Sequence, residues 1–174
     1  LPSYKKEILL QKIKIKKMSE IYNAISSKEL AVLRKSIASV SVLGALANDG
    51  KIDSTEKAGA VKLASQRTFT AKPILQDFYK EVDQHLENDF DAIINTLPKG
   101  DVEIQKDFLR NELNQVKPIL EKLSIHFKKE YTGSQKSFAE HVFKTNASLL
   151  TSFFKSLDDD MDEKIFGEEE KTDI

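Results

Sequence analysis

The chain has 174 residues, with 27 Lys and Arg against 28 Asp and Glu, three His and no Cys. The missing Cys excludes a disulfide framework, an iron–sulfur cluster, a thiolate zinc site and a cysteine nucleophile. A net charge of -1 gives no general affinity for nucleic acid or an anionic membrane. The total conceals an asymmetry. Residues 1–17 hold six Lys against one Glu, a net of +5, and residues 158–174 hold nine acidic side chains against two Lys, a net of -7. The region between them, 18–157, is close to neutral.

In chain order, 1–17 reads as a basic N-terminal arm with little helical periodicity, extra to the domain, since Met18-Ser19-Glu20 resembles a natural start. Ile8-Leu9-Leu10 is too short for the apolar region of a signal peptide. The first strong helix is expected over Ser27–Asn48, opened by the capping-box pair Ser26 and Glu29. Its apolar stripe runs through Leu30, Leu33, Ile37, Val40, Gly44 and Ala47, and it is expected to be the most buried element. The strongly apolar part, Val40–Ala47, is about one-third of a membrane span, so no transmembrane segment is expected and the default location is cytoplasmic.

A second helix is expected from Ser54 to Gln66, with Ala58, Val61, Leu63 and Ala64 inward, then a break over Arg67–Lys72. A third opens at Pro73, bends or restarts near Asn88, and stops at Leu97-Pro98-Lys99-Gly100. Helical patterning resumes at Asp101 and is interrupted around Pro118. Thr132-Gly133-Ser134 marks the end of that section, and a last helix is expected over Ser134–Leu157. Acidic residues 158–174 read as a solvated tail. With no long period-2 segment, the fold class is all-α, a compact bundle of six or seven helices over 18–157. The arm and the tail have opposite charges, suited to pairing with each other or with a partner's oppositely charged surface.

The densest chemistry lies between the first two strong helices, in Asn48-Asp49-Gly50-Lys51-Ile52-Asp53-Ser54-Thr55-Glu56. On a calcium-binding EF-hand loop, Asp49 falls at position 5, Gly50 at the glycine position 6, Ile52 at 8, Asp53 at 9 and Glu56 at 12. Positions 1 and 3 are Ala45 and Ala47, which bring no side-chain oxygen. A divalent cation (calcium, magnesium or manganese) would find Asp49, Asp53, Glu56 and the Lys51 carbonyl, with an affinity no tighter than about 10⁻⁴ M. The same residues also read without a metal. Gly50 ends one helix in the left-handed conformation, and Asp53 with Glu56 forms the capping box of the next. Ile52 then anchors the corner in the core. Both readings stand at this level.

Leu43-Gly44-Ala45-Leu46-Ala47-Asn48-Asp49-Gly50-Lys51-Ile52-Asp53 with Glu56-Lys57 resembles the helix–corner–helix signature of TerB-like domains (tellurite-resistance protein B and DjlA-type co-chaperones). The resemblance implies an all-helical bundle of about this size, a link to stress or tellurite resistance, and a metal-linked acidic corner at Asp49, Gly50, Ile52, Asp53 and Glu56. Family members often carry the corner twice. The matching stretch here, Lys128-Lys129-Glu130-Tyr131-Thr132-Gly133-Ser134, lacks both the Asp-Gly pair and the Glu.

Other constellations are thinner. Asp158, Asp160, Asp162, Ile165 and Glu169 fit a second calcium loop, but Glu163 sits where glycine is needed. His85, His126 and His141 match neither HExxH nor the Glu-x-x-His pairs of di-iron bundles, and Glu81 with His85 is an ordinary one-turn pair. Lys128-Lys129 with Phe127 and Tyr131 is the best basic–aromatic cluster, interrupted by Glu130. No nucleophile motif or phosphate loop is present, so a catalyst and a nucleic-acid binder are not expected. The expected function is a non-catalytic, TerB-like binding module with a protein partner and a weak cation site. The alternative is a helical adaptor or immunity-like protein whose acidic corner is only a helix cap.

Overall fold

The computed structural model describes residues 2–18 and 20–143, without the side chains of 14–18 and 143. Ser3–Met18 forms α1, Glu20–Asn23 the single turn α2, Ser27–Asn48 α3, Ser54–Thr70 α4 and Pro73–Thr96 α5. Val102–Asn114 forms α6, Val116–Leu120 α7 and Ile125–Phe143 α8. No strand occurs among the described residues. The fold is an all-α compact bundle, with seven helical segments after α1 among the described residues. The expected helical stretch 144–157 and the acidic tail 158–174 lie outside the described residues.

The bundle is organised around α3. Ser26 and Glu29 close the expected capping box, with the Glu29 amide donating to Ser26 Oγ at 3.2 Å and the Ser26 amide to Glu29 Oε2 at 2.8 Å. Glu29 also pairs with Lys122, and that hydrogen bond holds its carboxyl below the ordinary glutamate range. From Ser36 to Leu46 every residue of α3 is buried. A helix apolar all round must be a core element or a membrane span. By length and composition α3 would suffice to cross a bilayer; here it is enclosed, touching α2, α5, α6, α7 and α8. Helix α4 packs against α5 and α8. Inside α4, Ala60 and Ala64 are buried, whereas Ala58, expected inward, is exposed.

Two polar devices cross the apolar interior. Arg34 of α3 makes a forked pair with Asp89 of α5, at 2.9 and 3.1 Å, and the Asp89 side chain is only 5% exposed. That pair, with Phe90 and Ile93 extending the stripe of Leu75, Phe78, Val82 and Leu86, keeps α5 one continuous helix past Asn88. Deeper still, Ser36 Oγ donates to the Leu33 carbonyl and accepts from Tyr131 and Gln135, at 2.7 and 2.9 Å. The rings of Phe78, Phe127 and Tyr131 pack around this centre at 5.7–6.3 Å between centroids.

Three expected breaks fall differently. That over Arg67–Lys72 shortens to Ala71–Lys72, because α4 runs on to Thr70 and Arg67 bonds Tyr79 and Ser134. The interruption near Pro118 lies at Gln115, because a proline cannot donate to the carbonyl four residues back and its ring collides with it. That carbonyl belongs to Asn114, where α6 ends, and Pro118 sits in the first turn of α7. Thr132-Gly133-Ser134, expected as a stop, lies in the middle of α8. Tyr131, Gln135 and Phe138 are all buried, and only one unbroken helix presents these positions together to the core. Thr132 is accommodated by its hydroxyl donating to the Lys128 carbonyl at 2.9 Å.

Asp89→Ala leaves Arg34 without its charge partner and should lower the unfolding free energy by about 3 kcal/mol. Replacing both, Arg34→Met with Asp89→Leu, should recover most of that loss in urea denaturation. Burial pushes the hydroxyls of Tyr79 and Tyr131 above the ordinary tyrosine range. The unfolded chain releases these protons near pH 10 while the folded one retains them, so stability holds below about pH 10 and declines above it. Tyr131→Phe should flatten that alkaline decline, although its stability at neutral pH is lower.

Candidate functional site

The corner between α3 and α4 is built as two abutting caps. At the end of α3 the Asp49 amide donates to the Ala45 carbonyl at 3.1 Å and the Gly50 amide to Leu46 at 3.2 Å. Gly50 has φ +82°, the left-handed conformation that a side chain disfavours by roughly 1–2 kcal/mol. Lys51 donates its amide to Asp49 Oδ1 at 3.2 Å, a short-range turn that uses one oxygen of that carboxylate. Ile52 packs against the core, as a corner anchor should.

Asp53 then starts α4. Its Oδ1 accepts the Glu56 amide at 2.7 Å, and Glu56 Oε2 accepts the Asp53 amide at 3.1 Å. Both carboxylates face the positive end of the α4 dipole, which favours them by about 0.3–1 kcal/mol each at an exposed site. Capping therefore accounts for Asp53 and Glu56 without an ion. Asp49 belongs to the α3 end, and its carboxylate takes no part in the α4 cap. Among the described residues no group of three or more His, Asp or Glu side chains is placed to hold a metal ion. Glu56 does line an open cleft of about 430 Å³ between α4 and α8, with His141 and Lys62 on its walls. One carboxylate already bonded to backbone and one imidazole make a polar cleft rather than a ligand set.

The remaining sequence candidates separate in space or enter the core. Lys128 is 2% exposed and pairs with Glu121 at 2.7 Å, while Phe127 and Tyr131 are buried. The basic–aromatic cluster is thus interior packing, and the stretch matching a second corner is mid-helix. His85 Nδ1 meets the carbonyl of Glu81, and the Glu81 carboxylate accepts from Tyr22 at 2.8 Å. His126 and His141 lie at opposite ends of α8.

A different surface comes forward. Of the large apolar side chains exposed among the described residues, Tyr4, Ile8, Leu9, Leu10 and Ile13 all belong to α1, at 45–58% exposure. Lys5, Lys6 and Lys12 are exposed between them. Where α1 meets the bundle, Ile13, Ala24 and Ile74 join Glu20, Ser124 and His126 around a mostly apolar groove of about 650 Å³. Glu20 fixes the far wall by accepting both the amide and the hydroxyl of Ser124, and Ser124 Oγ in turn caps α8 through the Phe127 amide at 3.1 Å. Sequence patterning passes over α1 because its apolar residues are spread around the helix instead of forming one stripe. The density of large apolar residues among lysines was the available signal.

No protein family, curated protein or solved structure matches the chain.

The two corner carboxylates make a quantitative expectation. Asp53→Ala should cost about 1 kcal/mol of stability, the usual loss for an N-cap. The cost should be the same in a chelator as in millimolar calcium, and Asp49→Ala should cost distinctly less. Thermal or urea denaturation of the variants with and without calcium checks both statements.

Proposed function

We propose that the protein is a non-catalytic helical adaptor that docks a protein partner on α1 and the adjoining groove, with the acidic corner acting as a helix cap. The observation that carries this reading is the uncovered apolar surface of α1. Five large apolar side chains on one helix are about half exposed, and concentrated exposed apolar surface marks interaction sites. The lysines among them select a partner segment that offers acidic side chains around apolar anchors, since charge complementarity steers encounter and rejects basic surfaces. The near-neutral helical body serves as the rigid mount. The corner's resemblance to TerB-like domains points the same way, towards a helical module instead of a catalyst, and a cytoplasmic setting suits it.

A second reading has one observation in its favour, the Asp49 carboxylate that capping of α4 does not use. In it, Asp49, the Lys51 carbonyl, Asp53 and Glu56 bind a divalent cation weakly and stiffen the corner. A calcium-dependent difference between the Asp49 and Asp53 variants would favour it over the cap.

Ile8→Glu with Leu9→Glu tests the adaptor reading. Both side chains are exposed, so the variant should fold as the parent does by circular dichroism. Proteins that co-purify with the parent chain from its native cells should be lost with the variant. Capture of the same proteins by both chains would overturn the reading.

A further inference from the structure

The chain has three arginines, and two of them grip carboxylates. Arg34 closes the Nε and Nη2 edge of its guanidinium on Asp89, and Arg110 donates to Asp107 at 2.6 Å. Arg67, in the last turn of α4, has no acidic partner among the described residues. Its guanidinium lies between the rings of Tyr79 and Phe138, with Cζ 5.3 and 5.1 Å from their centroids. Nη1 donates to neutral oxygens, the Tyr79 hydroxyl at 2.7 Å and the carbonyl and hydroxyl of Ser134 at 2.8 Å. These contacts position a half-buried cation without neutralising it.

The rest of the guanidinium is uncommitted. Nη2 donates once, to the exposed Ser137 hydroxyl at 3.1 Å, and Nε has no acceptor among the described residues. The enclosed side-chain polar atom that lacks a partner among those residues is Gln135 Oε1, so Arg67 Nε is open to water. This is the edge with which Arg34 holds Asp89. Arg67, Ser134 and Ser137 line a recess of about 190 Å³ together with Lys72 and Glu130. Ser137 accepts from Arg67 and keeps its own proton to donate. Lys72 pairs with Glu130 at 2.8 Å through a side chain that is 67% exposed, so it can turn to a second anion. Two cations therefore stand against one carboxylate, and α5 opens beside them with no acidic residue in its first turn.

We propose that the Arg67 recess binds a phosphate group, which takes the Nε and Nη2 edge bidentately and accepts further bonds from Ser137 and Lys72. A carboxylate would spend both oxygens on the fork, whereas a phosphate has further oxygens for the donors that α8 and the α4–α5 joint supply. At about 190 Å³ the recess is smaller than the 300 Å³ or so at which pockets for whole ligands begin. It therefore takes one phosphate group, either the free ion or the end of a monoester whose remainder stays outside. The site is separate from α1 and does not depend on the adaptor reading.

Inorganic phosphate, titrated at constant ionic strength into the full-length chain labelled with nitrogen-15, should shift the Arg67 Nε–H signal saturably. The same signal of Arg34, which Asp89 already occupies, should stay in place. Arg67 also ties α4 to α5 and α8, so the variants are placed around it. Ser137→Ala should weaken binding about fivefold and Lys72→Gln about tenfold. Glu130→Gln should tighten it, an effect that a purely structural role for Glu130 would not produce. N-acetyl-phosphoserine amide separates the two sources: tighter binding than inorganic phosphate assigns the site to a monoester, and weaker binding to the free ion. Equal shifts at Arg34 and Arg67, a response that does not saturate, acetate bound as tightly as phosphate, or an affinity unchanged in both the Ser137 and Lys72 variants would overturn the proposal.

Discussion

Helix α3 cannot face water on any side over the eleven residues from Ser36 to Leu46, and that requirement shapes the rest of the molecule. A helix with one apolar stripe needs one neighbour, whereas one apolar all round needs a closed ring of them. The chain supplies the ring with α2, α5, α6, α7 and α8. Burial of Leu33, Ile37, Val40 and Leu43 alone favours folding by roughly 1.5–3 kcal/mol for each side chain. The small residues of α3 let its neighbours approach closely. Polar groups at the centre take internal partners, Ser36 with Tyr131 and Gln135, Ser41 with the Ile37 carbonyl, and Arg34 with Asp89, while the buried Gln135 Oε1 has none among the described residues.

Features of the sequence that act locally were legible, and those that act through the tertiary structure were not. Ser26 with Glu29, Asp53 with Glu56, Asp101, Pro73 and Gly50 each set a helix end through bonds or angles within a few residues, and the helix ends they mark fall where expected. Gly133 shows the opposite case. Its local preference is to break a helix, but the core positions on either side of it, Tyr131 and Gln135, require the helix to continue. The cost of a mid-helix glycine, about 1 kcal/mol, is small beside the burial of those side chains. Lys128 is a related case. Its charge suggests a surface, while its long stem lies in the interior and its ammonium group reaches Glu121.

The acidic corner was legible in its residues and ambiguous in its chemistry, because helix capping and cation binding recruit the same oxygens. Geometry separates the two uses. An N-cap carboxylate turns towards the backbone amides of its own first turn, and a cation ligand turns towards a common centre shared with other ligands. The Asp53 and Glu56 carboxylates take the first arrangement, each accepting the other's backbone amide. The cap uses one oxygen of each carboxylate, so an ion would have to be held by Asp53 Oδ2 and Glu56 Oε1 with both groups fixed in the cap's orientation.

That geometry moves attention from the most motif-like part of the chain to one of the least. Helix α1 has no recognisable motif and no single apolar stripe, yet it holds the densest exposed apolar surface in the described structure and the largest local excess of positive charge. Its apolar residues are spread around the helix, so one flat partner face cannot cover them all.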